Sequence, residues 1–247
     1  MIRLICEEKD FPVWRENPFA VRICGLRSAY GTDTRFALFW RQLSPSGKAV
    51  AWLSACDGDF TLDTADEADF EELAAFLQSA GGRSLLLPGE VSGRFSLTGI
   101  ERLAVLRHSG TGGVPAPSPP VEYPVLYALL QSGGEATAPP LYEVWYPDLC
   151  HRIRHGAAMA EVLRDASGKP AAAAQASFLA PQGTLLSGVA VLPEERGQGF
   201  GRRAVGRLMT RLPAGRPVFA LSRGETAGFY ARLGFSLVGE AAAGQLK

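Results

Sequence analysis

The spacing of apolar positions changes along the chain, and each change marks an element. Residues 36–43 and 49–56 are aromatic, apolar runs joined by Ser44-Pro45-Ser46-Gly47, which predicts a hairpin, with a third strand near 60–62. Over 66–78 the period becomes helical, with Phe70, Leu73, Ala74 and Leu77 on one stripe; Gly81-Gly82 stops it and a strand follows at 84–87. The second half runs in a similar order. A helix is predicted over 123–131, a strand over 157–165, its hairpin partner over 171–179 across Ala166-Ser167-Gly168-Lys169-Pro170, and a further strand over 184–192. In the next helix Ala204, Val205, Leu208, Met209 and Leu212 share a face while Arg202, Arg203, Arg207 and Arg211 lie elsewhere, and Pro213 and Gly215 end it. Residues 217–221 read as a buried strand, and Ser222-x-x-Glu225 as a capping box opening a last helix that Gly234 closes.

This order predicts an α+β fold, a mostly antiparallel sheet flanked by helices. The Gly/Pro-rich stretch over 110–120 is too poor in regular-structure formers to join one element to the next, and it divides the chain. Domains are expected at 1–113 and 123–247, with a linker at 114–122. Because strands, helix and strand recur in both halves, the first reads as a degenerate copy of the second; an unrelated small α+β domain fits the order nearly as well.

Composition narrows the chemistry. Twenty-five basic residues balance twenty-five acidic ones, so no overall field draws the protein to nucleic acid or to an anionic membrane. Cys6, Cys24, Cys56 and Cys150 are scattered without a Cys-x-x-Cys pair, which argues against a zinc ribbon and fits a reducing compartment. The first ten residues turn charged too soon for a signal peptide, and no apolar run reaches membrane-spanning length, so a cytoplasmic protein is expected.

The most informative segment follows the strand at 184–192. In Arg196-Gly197-Gln198-Gly199-Phe200-Gly201-Arg202, three glycines let the main chain approach an anion, the helix start presents free N–H groups, and Arg196 and Arg202 add positive potential. No Gly-Lys-Ser or Gly-Lys-Thr follows, and the glycine spacing is one residue short of the dinucleotide fingerprint. Arg196-x-x-Gly199-x-Gly201 instead resembles the acetyl-CoA signature of the GCN5-related N-acetyltransferase (GNAT) family. Phe229-Tyr230-Ala231-Arg232-Leu233-Gly234-Phe235 resembles a second motif of that family, and the likeness covers roughly 123–247.

What the resemblance implies is an acetyl-CoA-dependent N-acetyltransferase that passes acetyl directly to a primary amine, with no metal. The main chain of Val189, Ala190 and Val191 would pair with pantetheine, residues 196–202 would hold the diphosphate, and Tyr230 would protonate the departing thiolate. Arg223 stands where relatives often have Asn, and could reach a CoA phosphate or a substrate carboxylate. The strand at 184–192 offers only Thr184 and Ser187 as polar side chains, so the general base is open, with Glu143 and Glu161 as candidates or as solvated surface charges. In the first half, Asp63, Asp66 and Asp69 stand where a CoA-binding copy would carry glycines, and carboxylates there repel a diphosphate. His151 and His155 have helical metal-ligand spacing, but Arg152 and Arg154 disfavour a dication; the segment reads as a solvated loop face, or as a contact for an acidic acceptor. The acceptor is a small-molecule or peptide amine, and a homodimer is compatible with the sequence. The competing class is a non-catalytic acyl-CoA-binding or sensing module acting on a partner.

Overall fold

The computed structural model describes residues 1–110, 120–134 and 138–247, so 114–119 of the expected linker lie outside the described residues. In chain order the elements are β1 (Ile2–Leu4), α1 (Pro18–Tyr30), β2 (Ala37–Leu43), β3 (Ala49–Cys56), β4 (Asp59–Thr64), α2 (Phe70–Ser79), β5 (Ser84–Pro88) and β6 (Leu97–His108). They continue with α3 (Tyr123–Ser132), α4 (Tyr142–Arg154), β7 (Met159–Arg164), β8 (Pro170–Ala180), β9 (Gly183–Val191), α5 (Phe200–Arg211), β10 (Val218–Ser222), α6 (Gly224–Ala231) and β11 (Ser236–Leu246). All eleven strands join one sheet in the order β1-β2-β3-β4-β5-β11-β6-β10-β9-β8-β7. Among the described residues only β4–β5 and β9–β10 are parallel pairs. The expected α+β class, mixed and mostly antiparallel, is the one observed.

The two halves are interleaved in this sheet. Strand β6, from the first half, pairs with β10, Ala104 aligned with Ser222 and His108 with Val218. Strand β11, from the second, pairs with β5, Ala241 aligned with Pro88 and Gln245 with Ser84. Each half is therefore completed by a strand of the other.

Residues aligned across neighbouring strands share a sheet face, which fixes the layers. On one face α5 buries Ala204, Val205 and Leu208 against Leu106, Leu186 and Ala220, while α2 buries Leu73 and Leu77 against Leu53, Leu62 and Leu85. On the other, α1 packs Phe19, Val21 and Ile23 against Val105, Leu185 and Phe219. Helices α3 and α4 cover the far end of that face through Leu126, Leu129, Trp145 and Leu149 over Ala160, Ala173 and Ala190.

The sheet curls around α1. Arg22 Nε donates to Thr61 of β4 at 2.8 Å while its guanidinium lies 4.8 Å from the ring centre of Phe178 on β8. Those strands are six places apart, about 29 Å in a flat sheet at ~4.8 Å per strand. Contact on all sides buries Phe19, Ala20, Val21, Ile23, Cys24, Gly25 and Leu26, which leaves no polar stripe for a helical period to reveal. Gly25 is needed at the closest point, where a Cβ would stand 2.9 Å from Phe178 Cβ.

Candidate functional site

Strands β9 and β10 pair through only three rungs, Thr184 with Val218, Leu185 with Phe219 and Leu186 with Ala220, and then part. Residues 187–191 consequently have no strand partner on the β10 side. On the β8 side, Gln175 aligns with Ser187 and Ala173 with Ala190, so Gly188 and Val189 bulge opposite the single residue Ala174. Gly188 takes φ +58°, and a Cβ there would meet Leu130 Cδ2 at 2.9 Å. Beyond the bulge, Leu192 N–H donates to Ala171 O at 3.0 Å. Strand alternation then turns the N–H of Ala190 toward β8 and those of Val189 and Val191 into the gap. Their side chains alternate too, Val189 and Val191 toward α5 and Ala190 toward α3.

From the gap the chain turns through a short 3-10 segment, Pro193–Glu195, into the glycine loop. Gly197 and Gly199 both have φ +78°, left-handed backbone that disfavours any Cβ. Gly201 is glycine for a different reason: a Cβ would lie 3.2 Å from Val191 Cγ2 and 3.4 Å from the Phe229 ring. Arg203 braces the loop from behind, donating to Gln198 O at 3.2 Å and covering the Phe200 ring at 4.1 Å. Gln198 Nε2 reaches Glu194 O at 3.3 Å, and Arg196 Nε reaches Val191 O at 3.4 Å. Among the described residues, none of the main-chain N–H groups of 197–202 finds an acceptor in hydrogen-bonding geometry. Six successive donors run from the loop into the start of α5, with the Arg196 and Arg202 side chains exposed beside them, an arrangement that suits an anion such as a diphosphate. The residues present therefore fit coenzyme A.

Tyr230 lies on α6, whose Phe229 touches the start of α5, so the two motifs meet in space. Its ring is 7% exposed, edge-on to Phe229 and Phe235 at 5.1 and 5.4 Å. Burial pushes the phenol up to about 12, so it is protonated throughout the neutral range.

Other residues singled out in the sequence find partners that the sequence did not show. Arg223 pairs with Glu101 of β6, with Nη2 to Oε2 at 3.1 Å and a second bond from Nε. Ser222 does not cap α6: its hydroxyl bonds Arg223 O at 3.0 Å and the Thr226 hydroxyl at 2.6 Å. Glu161 is no surface carboxylate; it is 2% exposed and held by Arg207 Nε at 3.0 Å and by Arg211. Glu143 is exposed on the first turn of α4. The segment read as a solvated loop is the last turn of α4: His151 Nε2 lies 2.8 Å from Ala29 O, and its ring stacks on Tyr30 at 4.9 Å. Arg152 donates to Ser177 O at 3.0 Å and pairs with Asp148. Among the described residues no three His, Cys, Asp or Glu gather as metal ligands. Among the described residues no helix is long and apolar enough to cross a membrane.

The sequence reading missed α1 and with it Arg22, although a signal was present. Asn17 accepts from Ala20 N at 2.8 Å, Pro18 opens the helix and Gly31 follows it, a start-and-stop pattern visible without periodicity.

Residues 126–235 match the acetyltransferase (GNAT) family. Among solved structures, a GCN5-related N-acetyltransferase from Sphaerobacter thermophilus is similar at TM-score 0.59 and 13% identity, over 99% of this chain and 95% of that one. One from Kribbella flavida gives 0.58 and 16%, over 91% and 94%. A tandem GNAT protein from the clavulanic acid biosynthesis pathway gives 0.53 and 15%, over 99% and 98%. At these identities the likeness is one of fold. A comparison with curated proteins finds no match. The segment that matches the acetyltransferase (GNAT) family, 126–235, carries the β9 bulge, the glycine loop and Tyr230.

Proposed function

We propose that the protein is an acetyl-CoA-dependent N-acetyltransferase acting on a primary amine. The observation that carries this is the run of unpartnered amides at 197–202 one turn away from a strand edge that opens after three rungs. Acetyl-CoA supplies an activated thioester. The chain's part is to bind and orient it: the loop amides hold the diphosphate, and the N–H groups of Val189 and Val191 stand in the gap as donors to pantetheine and to the developing oxyanion. Tyr230 keeps its proton on Oη for the leaving thiolate, as its raised pKa requires.

We read the first half as a degenerate copy whose equivalent gap is filled by its own chain. Strands β4 and β5 also pair in parallel through three rungs, Asp59 to Thr61 with Ser84 to Leu86, and α2 follows on the face that carries α5. Beyond those rungs Arg15 bonds Asp63 at 2.5 and 2.9 Å and Thr64 O at 2.7 Å, occupying the edge that a ligand would need.

The test is thiol release from acetyl-CoA across a panel of amines, with calorimetry of CoA binding alongside. Tyr230→Phe should lower kcat about 10- to 1,000-fold with CoA affinity unchanged. CoA binding without turnover of any amine would make the chain a binding module instead.

A further inference from the structure

A cavity of about 1530 Å³ opens where the end of α1 meets α4, and both halves build it. Arg22, Tyr30 and Asp59 come from the first half; Asp148, Arg152 and Phe178 come from the second. Hydrogen bonds across β8 link its wall to the strand that borders the cleft. Arg152 Nη1 donates to Ser177 O at 3.0 Å, and the Ser177 hydroxyl bonds that of Ser187, the residue just before the β9 bulge.

Two guanidinium groups lie against the Phe178 ring in this cavity, Arg22 at 4.8 Å and Arg152 at 4.9 Å. Arg152 has its counter-charge, Asp148, which also accepts from the Tyr30 hydroxyl. Arg22 has none: among the described residues no carboxylate lies within ion-pair distance of it, and Asp59 is engaged by the Ser84 hydroxyl at 2.8 Å. Its one hydrogen bond, Nε to Thr61, fixes the plane of the group and leaves the Nη1–Nη2 edge uncommitted. Burial and the neighbouring Arg152 both work against its charge, which an anion on that edge would relieve. A single planar edge with one unbalanced charge suits a carboxylate better than a phosphate dianion.

We infer that this cavity receives the acetyl acceptor, and that the acceptor carries a carboxylate held end-on by Arg22. The inference rests on the acetyltransferase reading above and names the substrate class as amino acids or other amino-carboxylates. It also moves the acidic-acceptor contact from Arg152 and Arg154, where the sequence suggested it, to a residue of the first half.

The experiment uses matched pairs that differ only in the carboxylate, phenylalanine with phenethylamine and leucine with isoamylamine, plus phosphoethanolamine. Turnover is followed by thiol release and binding by ligand-observed NMR on CoA-loaded protein. The acid of each pair should be preferred at least about 10-fold. Arg22→Met should weaken the acids about 10- to 100-fold and leave the amines within about twofold, as expected for losing one charge-assisted pair. Arg22→Lys, which keeps the charge without the flat edge, should lose about 10-fold for the acids and serves if the Met variant does not fold. Equal use of acid and amine, preference for phosphoethanolamine, indifference to both Arg22 substitutions, or no acid bound or acetylated would each overturn it. Calorimetry with CoA on the same samples separates the two levels: failure of CoA to bind sinks the acetyltransferase reading, whereas CoA binding without acid binding sinks only this inference.

Discussion

Glu161→Leu separates a structural carboxylate from a general base. Glu161 is buried on β7 between two arginines of α5, and those arginines differ. Arg207 is 63% exposed and would return to solvent, but Arg211 is only 9% exposed, and its Nε and Nη2 already lack partners. Removing the carboxylate leaves Arg211 as a buried, uncompensated charge, which costs about 3–5 kcal/mol. For a chain of this size that corresponds to a fall in Tm of about 6–20 °C at roughly 2–4 °C per kcal/mol. Replacing both residues, Glu161→Leu with Arg211→Met, should recover most of the loss, because apolar side chains of similar volume substitute for a buried pair at little net cost. The assay is guanidinium denaturation of wild type, single and double variants, with kcat measured well below each Tm. A loss under about 1 kcal/mol in the single variant would refute the reasoning. So would a folded double variant without turnover, which would make Glu161 the base.

Four further outcomes follow from the geometry. Gly199→Ala forces a Cβ onto left-handed backbone at φ +78°, so the loop should lose about 1–2 kcal/mol of its binding conformation and CoA affinity should drop about 5- to 30-fold by calorimetry. Because the Tyr230 phenol is raised to about 12, kcat should show no phenol-dependent descending limb near pH 10; a limb there that Tyr230→Phe abolishes would contradict its burial. The same shift has a sign for stability: the raised folded value adds stability fully present below the unfolded value near 10 and lost as pH climbs from 10 to about 12, which alkaline denaturation of wild type against Tyr230→Phe should register. Truncation after residue 235 removes β11 from between β5 and β6, so neither half should fold alone by circular dichroism, and a truncated protein that melts cooperatively near wild type would refute the interleaving.

What could be read in advance follows from how each element is buried. Strands β2, β3, β8 and β9 are mostly apolar runs, and α2 and α5 each press one stripe on the sheet, so their patterns survive in the sequence. The loop at 196–202 was legible because its glycines answer local demands of dihedral angle and close approach. Helix α1 escaped because burial on every side erases amphipathicity, and α4 because it lacks a side-chain cap and contains Pro147. Strands β6 and β11 escaped for another reason. Each is interrupted by glycine and charge, Gly99, Glu101 and Arg102 in one, Gly239 and Glu240 in the other, and each finds its partners far away in sequence. The burial of Glu161 and the pairing of Arg223 were not legible because their partners, Arg211 and Glu101, belong to distant elements.

The central claim is that bare amides at the start of α5 grip a diphosphate, and calorimetry of CoA against pantetheine tests it most directly. Wild-type protein should bind CoA at least about 100-fold more tightly than pantetheine, which keeps the thiol arm but lacks the diphosphate, with the difference shrinking in Gly199→Ala. Equal affinity for the two, or no heat with CoA at all, would contradict the account.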